Sequence, residues 1–157
     1  MATTSGRIRA ISISRQKGTP KVNVPTAELQ AEHGVVGDAH ADGGHRQVSL
    51  LSAEAIDALQ ARGVDVAPGA FAENLTVESL DFAALQVGSR LKIGNDAELA
   101  ITQRGKKCYG RCAIFDRLGD CVMPREGLFA RVTCSGAISV GDVIEVVHDQ
   151  SCDTDCQ

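Results

Sequence analysis

Short runs of alternating apolar and polar residues, each cut off by glycine or proline, recur along this chain and confine it to β-rich folds. In RIRAISIS, Ile8, Ala10, Ile11 and Ile13 include a period-two face, the mark of a half-buried strand. In SRLKIGNDAELAITQ, Leu91 and Ile93 alternate with Arg90 and Lys92, and Gly94-Asn95-Asp96 supplies a turn. That segment reads as a hairpin. QVSLL is a short apolar run expected as a buried strand, and NLTV is a second short strand. GLFARVTCSGAISVGDVIEVV adds more β-structure, with breaks expected at Gly136 and at Gly141-Asp142. QKGTPKVNVP brings a turn and an extended segment. AEHGVVGDAHADGGH, rich in glycine and histidine, reads as a loop with tight turns and not as a regular element.

One segment is clearly helical. Ser52 is a good N-cap, because its hydroxyl can accept from an otherwise orphaned backbone N–H, and Glu54 and Asp57 place negative charge near the helix N-terminus. AEAIDALQAR carries Ile56 and Leu59 on one face, and Gly63 can take the left-handed conformation that ends a helix. A single helical turn is expected after NLTV. The regular βαβ alternation of a parallel sheet is missing. The expected class is therefore mixed α/β but β-rich, a closed or partly closed barrel with a few helices. Residues 1–148 are expected to form one domain, and 149–157 a polar, disordered tail.

A chain of 157 residues has length for one sizeable core. Aromatics are only 3%, with no Trp, so that core must be built from Val, Ile, Leu and Ala. Few aromatics also leave no platform for stacking bases, and a net charge of −4 offers no broad footprint for a phosphate backbone. Nucleic acid is not an expected partner. MATTSGRIRAISIS lacks the apolar run of a signal peptide, and nothing approaches a membrane span, so a cytoplasmic location is expected. There, six cysteines are expected as thiols, metal ligands or redox groups more than as structural disulfides.

The chemistry concentrates in KKCYGR. Lys106, Lys107 and Arg111 flank Cys108, with Arg104 just upstream. Nearby cations stabilise a thiolate and so make a cysteine nucleophilic or metal-binding, and the same cluster can hold an anion such as phosphate. The plainer alternatives are a cysteine buried as a small hydrophobe and a solvated basic face. Cys108 and Cys112 are spaced CxxxC and Cys121 follows, giving three potential metal ligands. The spacing is not that of zinc knuckles, and a fourth ligand would have to come from Cys134, His40 or His45. Two further stretches carry polar groups. GVVGDAHADGGHRQ brings Asp38, His40, His45 and Arg46 on a loop, where binding groups often lie. FAENLTV sets Glu73 and Asn74 between Phe71 and Leu75, where a structural asparagine bonding local backbone is the alternative.

GVVGDAHADGGHRQVSLLS, PGAFAENLTV, VGSRLKIG, the cysteine segment, GLFARV and VGDVIEV, in that order, resemble the MOSC domain, named for the C-terminal domain of molybdenum cofactor sulfurases. The resemblance runs from about Arg7 to Val147 and is strongest to small stand-alone bacterial members. It implies a mixed α/β fold on a β-barrel, with a cleft whose cysteine serves sulfur or molybdenum. That cysteine falls on Cys108. The polar loop contributes Asp38, His40 and Arg46, and the asparagine of ENLT falls on Asn74. Two parts found beside this domain in larger relatives are not recognisable: a preceding β-barrel subdomain and the aminotransferase-like part that binds pyridoxal phosphate. Mobilising sulfur from free cysteine by pyridoxal chemistry is therefore not expected.

What the resemblance implies is a protein that binds a molybdopterin-type molybdenum cofactor, or carries or transfers sulfane sulfur on Cys108. Its partner would be the cofactor or a protein that donates or accepts sulfur. Lys106, Lys107, Arg111 and Arg46 would hold the cofactor's phosphate. Asp38, His40 and Asn74 would orient the ligand. Three alternatives belong to other classes: a cofactor carrier without chemistry, an enzyme removing sulfur from small molecules or reducing N-hydroxylated ones, and a metal site on Cys108, Cys112 and Cys121. Cys152 and Cys156 in the tail would either resolve a disulfide or persulfide at Cys108 or be an incidental exposed pair.

Overall fold

In the computed structural model of the chain, residues 5–14, 22–38, 47–63, 65–69, 71, 73–104 and 127–147 are described. β1 (Ser5–Ile13) organises them, because it pairs along both edges. One edge takes β6 (Leu75–Glu78) antiparallel, with Ile11 opposite Leu75. The other edge is divided. Ser5–Arg7 pair with β11 (Val143–Val147), and Ile11–Ile13 pair with β2 (Val22–Val24). From β11 the sheet passes through β7 (Arg90–Ile93), β8 (Ala97–Arg104), β9 (Leu128–Cys134) and β5 (Val48–Ser52) to β6. Seven strands thus close into a barrel and β2 flanks it. Closure removes the open sheet edges that invite intermolecular pairing. A small second sheet sets β3 (Thr26–Gln30) between β4 (Gly34–Val35) and β10 (Gly136–Ser139).

The expected barrel class holds. β1 alternates between exposed and buried over its first six residues, as the pattern of RIRAISIS predicts. Inward residues form an aliphatic core in which Ile8, Ile11, Leu50, Leu75, Leu99 and Ile101 are each at most 1% exposed. The hairpin of β7 and β8 is present, with Gly94 at φ 61° in its turn. Sequence reasoning missed β3 and the two-residue β4, which lies inside the stretch expected to be a loop. The breaks expected at Gly136 and at Gly141-Asp142 are present: β9 ends at Cys134, Gly136 opens β10 in the second sheet, and β11 starts at Val143.

One parallel pair interrupts the antiparallel barrel. β5 and β6 run side by side, Leu50 opposite Leu75, and α1 (Ala53–Ala61) makes the crossover between them. The Ser52 hydroxyl accepts from Glu54 N at 3.1 Å, and Gly63 at φ 88° follows the last turn, as expected. The crossover explains why QVSLL reads as continuously apolar: Leu50 points into the barrel core while Leu51 is buried outside it with Ile56 of α1. Arg9 ties the helix to the wall, with 2.8 Å contacts to Asp57 and Glu78. Phe82–Ala84 form the single expected helical turn, of 3-10 type. Among the described residues no helix is long and apolar enough to cross a membrane.

Closure imposes a demand at Gly6. A Cβ there would stand 2.2 Å from the Glu78 carbonyl oxygen and 3.0 Å from Leu80 N, both backbone atoms. Gly6→Ala is expected to destabilise the fold by about 2–3 kcal/mol, since the backbone of residues 78–80 must shift. A urea midpoint within error of the unmodified chain would show that the seam has slack.

Candidate functional site

An aliphatic barrel should carry few polar side chains inside it, and those it does carry need partners. Among the described residues the buried polar side chains are Ser12, Asp38, Gln47, Ser49, Glu73, Asn74 and Thr76. They are gathered in one place. A row of paired residues crosses the wall from Arg104 through Leu128, Leu50 and Leu75 to Ile11. On one side of that row β1 ends while β5 and β6 begin, and there lie Ser12, Gln47, Ser49, Glu73 and Asn74. Asp38 bonds to Ser14 just beyond β1, and Thr76 joins the group through Glu73.

Asn74 is the hub. Its Oδ1 accepts from Ser49 N at 2.9 Å and Ser49 Oγ at 3.2 Å, and its Nδ2 donates to Ser12 O at 3.1 Å. A backbone N–H only donates and a carbonyl only accepts, so these partners fix the orientation of the carboxamide. Its backbone adds a bond from Ser12 N at 2.7 Å and one to Ser49 O at 2.9 Å. Asn74 therefore stitches β1, β5 and β6 together. Asp38 Oδ1 accepts from Ser14 N at 3.0 Å, only two residues from the carbonyl that Asn74 holds. Two of the sequence candidates, 36 positions apart, are thus anchored on the same end of β1.

Glu73 is 0% exposed. Its Oε2 accepts from Gly69 N at 2.7 Å and Thr76 Oγ1 at 3.0 Å, and its Oε1 from Phe71 N at 3.2 Å. Burial pushes its carboxyl above the ordinary glutamate range, and these donors pull the other way without cancelling it. The carboxyl folds the 69–73 turn onto itself and so fixes where β6 begins.

Gln47 was not singled out from sequence. It is 0% exposed, and its Oε1 accepts from Val132 N at 2.9 Å. It thereby continues the β5–β9 contact beyond Val48, which pairs with Ala130. Ser12 and Ser49 were also missed. The available signal was a buried strand, QVSLL, with polar residues at alternate positions that had to find partners.

The remaining candidates, His40, His45, Arg46, Lys106, Lys107, Cys108, Arg111, Cys112, Cys121, Cys152 and Cys156, lie outside the described residues, as does the expected tail. Their flanks are described. β8 ends at Arg104 and β9 starts at Leu128, and the chain leaves and rejoins them on the opposite side of the row from Asn74 and Asp38. Arg104 donates from Nη1 to the carbonyls of Phe82 and Leu85, so it braces the 3-10 turn. Cys134 is disulfide-bonded, which corrects the expectation of a thiol there and removes it as a fourth metal ligand. Among the described residues no cluster of three His, Cys, Asp or Glu side chains could hold a metal ion.

Residues 37–145 match the family model of the MOSC domain. No curated protein matches the chain by sequence. Among solved structures, the chain is similar to the YuaD protein from Bacillus subtilis, with a TM-score of 0.74 and 20% identity over 90% of this chain and 95% of that one. YiiM from Geobacillus stearothermophilus gives a TM-score of 0.70 at 20% identity, covering 91% of this chain and 75% of that one. YiiM from Escherichia coli gives 0.62 at 20% identity, covering 91% and 70%. At such identities these likenesses speak to the fold.

Proposed function

Because this chain belongs to the MOSC domain family, and so to proteins related to molybdenum cofactor sulfurases, we propose that it handles sulfur for the molybdenum cofactor, with Cys108 as the working thiolate. The observation that carries the reading is the buried polar group at one end of the barrel. Asp38 and Asn74, drawn from separate motifs, meet there on the last residues of β1. Polar side chains concentrated at one end of an otherwise aliphatic barrel suit a binding site. Asp38, His40 and Asn74 orient the ligand. Lys106, Lys107 and Arg111 keep Cys108 ionised and, with Arg46, neutralise the cofactor's phosphate.

Cys108 follows four residues after Arg104, where β8 ends. A pterin cofactor rich in acceptor oxygens and nitrogens fits a site with buried donors. When bound, it would supply the metal to which sulfur is finally delivered. The chain's own step is a sulfur exchange. The Cys108 thiolate attacks the outer sulfur of a donor protein's persulfide, a sulfur–sulfur bond forms on Cys108, and the donor cysteine leaves as its thiolate. No net oxidant is consumed.

The experiment is persulfide loading by a sulfurtransferase, followed by intact-protein mass spectrometry. The unmodified chain is expected to gain the mass of one sulfur atom and Cys108→Ser to gain none. Equal loading of both removes Cys108 from its role. A chain that retains stoichiometric pterin but never accepts sulfur is a cofactor carrier instead.

A further inference from the structure

Of the buried polar groups at the barrel end, one is incomplete. Among the described residues the Gln47 side-chain nitrogen Nε2 is the buried polar atom with no hydrogen-bond partner. A mere flip of the amide cannot repair this. Val132 N–H can only donate, so the atom 2.9 Å from it must be the oxygen, and the NH2 end points the other way. Gln47 is 0% exposed, so bulk water does not satisfy the two N–H donors. A buried donor left unmatched costs about 1–3 kcal/mol, which a folded protein rarely sustains without return. The surrounding groups offer a contrast: Asn74 has protein partners for both ends of its carboxamide, and Glu73 for both oxygens.

Gln47 also has a telling position. It follows directly on residues 39–46, which Asp38 precedes, and Asp38 is itself only 7% exposed and held by Ser14 N. Its own carboxamide is fixed from behind by β9, and it lies two residues before Ser49, the partner of Asn74. A donor held rigidly by the strand behind it, next in sequence to candidate binding groups, is preorganised to meet an acceptor.

We infer that the Gln47 carboxamide is a ligand-binding donor of this site, and that its Nε2 takes an acceptor oxygen of the bound molecule, either a phosphoryl oxygen or a ring carbonyl. This rests on the reading of the barrel end as a binding site, and it extends that reading to a residue no family resemblance supplied. The site then selects for a ligand with an acceptor at that point. A ligand presenting a donor or an apolar group there would leave Nε2 unmatched in the complex as well.

Two probes separate the sources of such an oxygen: inorganic phosphate, and molybdopterin released from a molybdoenzyme. Binding would be followed by the side-chain amide signals of Gln47 in a 15N–1H correlation spectrum of the full chain, identified by their loss in Gln47→Met. We expect those signals to shift on saturation with at least one probe, and Gln47→Met to bind that probe about tenfold or more weakly. Gln47→Glu keeps an acceptor for Val132 N and replaces only the donor, and it should weaken binding comparably while leaving Val132 amide exchange slow. Unshifted signals with unchanged affinity in both variants overturn the inference and leave the sulfur-handling proposal standing. Phosphate binding without molybdopterin binding supports Gln47 as a donor and counts against the cofactor. Binding of neither probe to the unmodified chain overturns the inference and the cofactor reading together.

Discussion

Asn74→Ala is expected to lower the unfolding free energy by about 4 kcal/mol, near the top of the range for single substitutions. The reason is the position of the carboxamide, not its size. Removing it strips Ser49 N of its acceptor and Ser12 O of its donor, and Asn74 itself is 0% exposed, so water is poorly placed to replace either. Each buried backbone group left unmatched costs about 1–3 kcal/mol, and the emptied volume adds to the loss. Asn74→Asp should do comparable harm at neutral pH, because it turns a carboxylate oxygen toward the Ser12 carbonyl. The check is urea denaturation, with a lower midpoint and an unchanged slope. A loss under about 1 kcal/mol would mean that the three strands are held together by their ladders alone.

Glu73→Ala is the second large effect, expected at about 3–4 kcal/mol, because three buried donors lose one acceptor group: Gly69 N, Phe71 N and Thr76 Oγ1. It carries a pH signature that the asparagine does not. Burial raises the folded-state pKa of the Glu73 carboxyl above its unfolded value, so the folded state binds the proton more tightly. Its stabilising contribution is therefore fully present below about pH 4.3, the unfolded value, and is lost as the pH rises through the raised folded-state value. Glu73→Gln does not titrate. The difference in urea midpoint between the unmodified chain and Glu73→Gln should accordingly move against the unmodified chain as the pH climbs through that window. A difference that moves in its favour would show that the hydrogen bonds outweigh desolvation and that the carboxyl is held ionised.

The two residues also mark how far sequence reasoning reached. β1, β5 and the β7–β8 hairpin were legible because one face of each is buried in the barrel, and burial writes itself as alternation or as an apolar run. β3 was missed although TAELQ alternates, because its inward face offers only a small, half-buried Ala27 beside the buried Leu29, a weak signal over five residues. Gly136 was expected as a break, and β9 does end just before it; the alternation does not show its close approach, in which a Cβ would stand 2.8 Å from Ala97 N on β8. In the site, Asp38 and Asn74 could be named because each stands in a recognisable motif. Their convergence could not, since it depends on Ser12 and Ser14 at the far end of β1. Gln47 acquires meaning only through Val132, 85 positions away in the chain.

The divided edge of β1 bears on how this chain acquires its shape. Ser5–Arg7 pair with residues 143–145, so the first strand made is completed by the last. During synthesis the N-terminal half of β1 therefore waits, with that edge unpaired, until residues 143–145 have emerged. Contacts of such sequence separation are the slow ones to form, and a strand edge left open meanwhile is where neighbouring nascent chains can join. The barrel's closure, a source of order once made, sets the timetable of its making: β1 can pair locally with β2 and β6, but the ring is sealed only after translation has delivered β11.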